Sequence, residues 1–189
     1  MLRSELKIAI RFTLLTTVLL GILYPLAVTG FAHTFLRKQA DGELIVRNGQ
    51  VTGSPLIGQN FSGALYFHGR PSAAGNGYDA TSSGASNFAA SNQKLVTRID
   101  GDVATYAAEN RSTPVPIDLV TASGSGLDPD ISPAAALFQV ETVASARHLP
   151  VAAVRELVQR HVQGRQFGFL GEERVNVLLL NMDLDRLAH

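Results

Sequence analysis

From Phe12 to Leu36 the chain runs 25 residues without a fixed charge, between Arg11 on one side and Arg37-Lys38 on the other. The run is mostly apolar and carries no polar stripe. A hydrocarbon layer of about 30 Å takes about 20 residues at 1.5 Å rise each. With no water to accept its backbone hydrogen bonds, such a segment crosses as a helix. The pattern therefore predicts a single transmembrane helix over 12–36, behind a basic head over 1–11. Pro25 lies mid-run, removes one backbone donor and is expected to kink the helix. A buried core helix would be shorter or striped. A cleaved signal carries an apolar region of only about 7–15 residues, although Gly30-Phe31-Ala32 weakly resembles a cleavage site. An uncleaved anchor is the reading adopted.

Beyond the anchor the periodicity changes several times. Glu43 to Thr52 reads as a β-hairpin, because Asn48-Gly49 suits a type I′ turn in which both φ angles are positive. Gly53 to Ser91 is rich in glycine, serine, alanine and asparagine, yet Phe61, Leu65, Tyr66, Phe67, Tyr78 and Phe88 punctuate it. A disordered linker has few aromatics, so this stretch is expected to be irregular but ordered, with a short strand at Ala64–His68. Loops this long within a compact domain usually bind something. Ser91 then caps a helix with Leu95, Ile99, Val103 and Tyr106 on one face. Arg111 to Pro116 is a turn, Ile117–Thr121 a short strand, and Ser123–Asp130 a loop. Ser132-Pro133 opens a helix to about His148. Pro150 opens another, with Val151, Val154, Leu157, Val158 and Val162 along one face and Gly164 as its stop. Arg174 to Asn181 is apolar and short enough for a buried strand, and the tail to His189 reads as a turn or fraying helix. The fold class is thus mixed α/β (α+β): two or three helices on a small sheet, over 37–189, behind one transmembrane helix.

Composition narrows the function. The 189 residues balance 16 Lys and Arg against 16 Asp and Glu, and cysteine is absent. Disulfides and thiolate metal sites are excluded. A near-neutral body without a basic cluster excludes nucleic acid as a partner. Arg3, Lys7 and Arg11 precede the span against Glu5 alone, which favours a cytoplasmic N-terminus and an extracytoplasmic body; Arg37 and Lys38 pull the other way.

The chemistry-bearing residues form no local constellation. His33, His68, His148, His161 and His189 show no metal-ligand spacing, and His148 and His161 fit helix C-termini instead. No G-x-S-x-G elbow occurs, and a serine nucleophile needs an adjacent base. Ser123-Gly124-Ser125-Gly126 before a helix could cradle an anion, but no G-K-[ST] follows, and Asp128 and Asp130 would repel phosphate. A tight connection is the simpler account. Asp118, Asp128, Asp130, Glu172 and Glu173 read as solvated carboxylates flanking turns. Arg70-Pro71, inside the aromatic loop, reads as a structural or subunit-contact arginine. On residues alone, a tethered interaction subunit leads. A membrane-tethered envelope serine hydrolase and a solute-binding module built on Gly53–Ser91 remain alternatives.

Several stretches together carry a family resemblance: Tyr24-Pro-Leu, Leu56-Ile-Gly-Gln-Asn-Phe61, Tyr66-Phe-His-Gly-Arg-Pro-Ser-Ala73, Ser82-Ser-Gly-Ala-Ser-Asn87, Val120-Thr-Ala-Ser-Gly-Ser-Gly-Leu-Asp128, Ile131-Ser-Pro-Ala-Ala135, Arg147, and Val175-Asn-Val-Leu-Leu-Leu-Asn181. In order and spacing they resemble the C subunit of the Kdp potassium-transporting P-type ATPase, the KdpC family, over nearly the whole chain. Ala85 stands where that family usually has a second glycine. The resemblance implies a non-catalytic accessory subunit of an ATP-driven potassium importer in the bacterial inner membrane. Its implied partners are a channel-like, potassium-translocating A subunit, an ATP-hydrolysing B subunit, a small F peptide and membrane lipid. It implies a catalytic-chaperone role that assists assembly and raises the ATP affinity of the ATPase subunit. No firmly bound cofactor is implied, and ATP enters through the ATPase subunit. A glutamine linked to nucleotide in the family corresponds here to Gln139; no catalytic and no metal-binding residue is implied.

Overall fold

The computed structural model describes residues 2–110 and 113–187. Part of the turn expected at 111–116, and His189, lie outside them. The chain divides into two compact units, Met1–Ile45 and Val46–His189.

In the first unit one helix runs from Leu2 to Phe35, 34 residues long and apolar enough to cross a membrane. It comprises α1 (Leu2–Val18), a π-helical turn (Leu19–Leu23) and α2 (Tyr24–Phe35), and it buries no side chain against the chain itself. The basic residues of the head thus continue the helix. The expected distortion at Pro25 takes the form of the π turn. A proline ring crowds the carbonyl four residues back, here Gly21. The turn before it opens by one residue, so that the Tyr24 N–H donates to Leu19 O. Threonine hydroxyls along the helix donate to its own carbonyls, Thr16 to Phe12 at 2.8 Å and Thr34 to Gly30 at 2.7 Å, which is how polar groups persist in lipid. A single turn, α3 (Arg37–Ala40), follows. Asp41 lies 3.6 Å from both His33 Nδ1 and Arg37 Nε.

The hairpin forms as expected. β1 (Ile45–Arg47) and β2 (Gln50–Gly53) flank Asn48 and Gly49, with φ of 50° and 77°.

The core of the second unit is built on α5 (Pro133–Arg147), α6 (Val151–His161) and α7 (Val177–Leu187). They pack with a three-stranded antiparallel sheet in the order β3 (Asp130–Ile131), β5 (Arg174–Asn176), β4 (Val162–Gln163). Val175 of β5 faces Ile131 on one side and Val162 on the other. Ser132 caps α5 by accepting from the Ala135 N–H at 3.1 Å, with Pro133 at the first position. His148 ends that helix in the left-handed region, φ 56°. Val140, Val143, Ala144, Val154, Val158 and Leu180 close the core.

Several expectations are corrected. Arg174–Asn181 is only partly strand. β5 ends at Asn176, whose Oδ1 caps a helix by accepting from the Leu179 N–H at 3.1 Å. The buried residues Val177, Leu180, Asn181 and Leu184 fall at helical spacing; a window closed at Asn181 hides that period. The tail expected as turn or fraying helix is the remainder of α7. Ile117–Thr121 is not a strand but a 3-10 turn over Ile117–Leu119. Leu119 and Val120 are both buried, whereas strand neighbours point to opposite faces. α6 ends at His161, because Val162 is taken by the sheet, so Gly164 is not its stop. The helix expected after Ser91 is α4 (Gln93–Glu109), capped by Asn92 rather than Ser91. Its intended inner face stays half-buried, and Val103 remains exposed.

Ala64–His68 also forms no strand, for a reason that bears on the whole body. Phe67 is fully buried, so its backbone polar groups need partners. Asn181, on α7, supplies both: Oδ1 accepts from the Phe67 N–H and Nδ2 donates to the Phe67 carbonyl, each at 2.9 Å. The side-chain amide does the work of a neighbouring strand. Replacing Asn181 with leucine keeps the volume and orphans both backbone groups. It is expected to destabilise the body by about 2–4 kcal/mol, read as a lowered denaturation midpoint of the full chain in detergent.

Candidate functional site: a pinned loop and a charged cleft

The aromatic loop, residues 53–91, is held at further points along its length. Gln139 projects from α5 and is buried. Its Oε1 accepts from the His68 N–H at 2.8 Å, and its Nε2 donates to the carbonyls of His68 and Ala135, both at 3.2 Å. Asn181 and Gln139 therefore grip consecutive residues from two helices. Arg70 reaches the other way. Its Nη1 lies 3.1 Å from Asp128 Oδ2, and its Nε donates to the Thr121 carbonyl at 3.2 Å. Ser72 donates to the Gly126 carbonyl and accepts from the Tyr78 N–H at 2.7 Å. Arg147, at the end of α5, donates to the Leu65 carbonyl, pairs with Asp185 at 2.8 Å and stacks 4.5 Å over the Tyr66 ring.

The Ser123–Gly126 turn meets the same loop. Ser125 O accepts from the Gly84 N–H at 2.8 Å and from the Ser83 hydroxyl at 2.9 Å. Gly126 has φ 67°, and a Cβ there would sit 2.6 Å from Ala74 N. The glycine is needed for left-handed backbone and close approach. The turn is a packing connection, in line with the simpler sequence reading.

Between this loop and the start of α5 opens a cleft of about 680 Å³. All five carboxylates expected to be solvated line it, with Arg70, Arg165 and Arg174. Most are engaged rather than free: Arg70–Asp128 and Arg174–Asp130 at 3.1 Å, Arg165–Glu172 at 2.6 Å, and Asp118 Oδ2 accepting from the Ser132 N–H at 2.8 Å. The spacing of the arginines does not predict this convergence; only the fold brings residues 70, 118–133 and 165–174 to one place. Burial pushes the Asp130 carboxyl above the ordinary carboxylate value, and Asp128 adds to this; the Asn176 amide and Arg174 partly offset it. Burial likewise raises Tyr78, with Asp128 again contributing.

Two of the histidines are engaged structurally. His68 Nε2 lies 3.0 Å from the Gly63 carbonyl, and His161 Nε2 lies 3.0 Å from Asp183 at the end of α6. Neither touches a serine hydroxyl. Among the described residues no three His, Asp or Glu side chains converge as a metal would require, and no buried side-chain nitrogen or oxygen lacks a partner.

The chain thus joins one long apolar helix to a body in which many polar side chains bind the chain's own backbone. The family described as KdpC, K+-transporting ATPase, c chain, matches residues 6–186. Relatives named potassium-transporting ATPase KdpC subunit include those of Acidobacterium capsulatum, 56% identical over 97% of this chain and 99% of the relative, and Koribacter versatilis, 52% identical over 97% and 95%. That of Bradyrhizobium diazoefficiens is 50% identical over 97% and 98%. The chain belongs to the KdpC family.

Asp130 gives a pH prediction. A carboxyl raised in the folded state keeps its proton when the unfolded chain, near pH 3.9, has begun to lose it. The folded state then binds more protons, so the stability from this group is full below that value and lost as pH rises through the raised one. In Asp130→Asn this decline disappears. The difference in thermal midpoint between variant and parent should change across that acid window and be flat above it; parallel profiles would contradict the burial argument.

Proposed function

We propose that the chain is a non-catalytic, single-span subunit of an ATP-driven potassium importer. It lies in the bacterial inner membrane with its N-terminus cytoplasmic and its body outside. Its partners are the channel-like A subunit, the ATP-hydrolysing B subunit and the small F peptide. It assists assembly and raises the ATP affinity of the ATPase subunit. The observation that carries this reading is the family match over 6–186, which takes in both the apolar helix and the body. The basic residues before the span support the orientation.

The effect on ATP is indirect. Both ends of the Gln139 amide are taken up by the His68 backbone and Ala135, so a nucleotide there would have to break three hydrogen bonds. A body outside the membrane also never meets cytoplasmic ATP. A subunit that binds one conformation of the ATPase more tightly shifts its nucleotide affinity without touching nucleotide. Purified alone, the chain should hydrolyse no ATP; co-expressed, it should co-purify with the ATPase subunit, and omitting it should raise the KM for ATP. In Gln139→Ala the body loses about 1–3 kcal/mol. Complexes that retain this variant should keep the parental KM. A raised KM in a fully retained, folded variant would instead make Gln139 a nucleotide contact.

A further inference from the structure

Between β4 and β5 the chain makes a finger, residues 165–173. Gln166 and Leu170 pair across it, and Phe167-Gly168 form its turn, with φ of 53° and 81°. The Phe169 N–H closes the turn on the Gln166 carbonyl at 3.2 Å, and Arg165–Glu172 braces the base at 2.6 Å. The hairpin of the first fifty residues makes the same kind of turn with Asn48-Gly49, the residues for which it costs least. A phenylalanine in the left-handed region costs about 1 kcal/mol or more. No packing among the described residues repays it: Phe167 is 87% exposed and Phe169 70%. Two large aromatics are thus held out, in a fixed and strained shape, where folding gains nothing. Glu172 and Glu173 are exposed beside them, and no ion pair engages Glu173 among the described residues.

We propose that this finger is a docking hook, seating Phe167 and Phe169 in an apolar socket with a cationic rim on another subunit of the potassium-transporting ATPase. This rests on the subunit reading above. Aromatic anchors in a pocket dominate interface energetics. A fixed turn lowers the ordering cost only if the receptor has a defined shape. A fluid lipid surface has none, and its anionic headgroups would repel Glu173, the carboxylate that no arginine of the finger neutralises. A second copy is disfavoured too, since fingers meeting across a twofold axis would set Glu173 against its own copy.

The test uses the full chain, co-expressed with its partner subunits. Replacing both phenylalanines with serine (F167S with F169S) should leave the chain's thermal midpoint unchanged or raised. It should lower retention in the detergent-purified complex by about tenfold or more. Glu173→Lys, which touches no packing, should weaken retention several-fold, most at low salt. Full retention of either variant overturns the hook; failure of the parent chain to co-purify overturns the subunit reading and the hook with it. The sequence contains no tryptophan, so Phe169→Trp gives a single probe. In the chain alone, reconstituted in phosphatidylcholine–phosphatidylglycerol vesicles, its emission should stay that of a water-exposed indole. A blue shift there, or a dimer of the parent chain that the double variant dissolves, overturns the proposal in favour of lipid or a second copy.

Discussion

The body depends on two side-chain amides that replace a strand. Asn181 and Gln139 grip the backbones of Phe67 and His68 from separate helices. Phe67 can then be driven fully into the core, at 0% exposure, from a loop that has no ladder to satisfy it. A sheet would spread its hydrogen bonds along a whole edge. Here the polar cost of burying one aromatic falls on two residues, and each is satisfied at both ends. The loop is therefore part of the core, although it has almost no regular structure.

From that grip the remaining contacts follow. Arg147 fixes the residues just before Phe67, and Arg70 and Ser72 fix those just after it to the 121–128 turn. The polar residues that might have served as catalysts are thus spent on architecture. His161 closes on Asp183, Asp118 caps the entry to α5, and Arg70 and Arg174 neutralise two of the cleft's carboxylates. The long apolar helix Leu2–Phe35 buries no side chain against the chain itself, as suits a segment that meets lipid or partner helices.

What could be read in the residues was what local rules control. The apolar run, the Asn48-Gly49 turn and the Ser132-Pro133 helix start each declare themselves within a few positions. Arg70 was legible as a structural or subunit-contact arginine because a guanidinium suits a carboxylate partner, and within the chain it meets Asp128. What stayed hidden needs contacts far apart in the chain. Asn181 and Phe67 are 114 residues apart, so the sequence around Ala64–His68 looked like a strand, apolar and β-prone, with its true partner out of sight. Asn176 ended a strand and began a helix at the same residue, and a reading of hydrophobicity alone ran through it. The charged cleft is of the same kind. Its side chains come from three separate segments, and nothing local to Asp128 or Asp130 marks the arginine it meets.

The central claim is that the irregular loop is held as firmly as the helices by two amides. Native-state hydrogen exchange at the Phe67 and His68 amides of the full chain tests it most directly. The account predicts protection comparable with that of the buried middle of α5, lost at Phe67 when Asn181 is replaced. Exchange at the rate of the exposed turn at Phe167-Gly168 would contradict it.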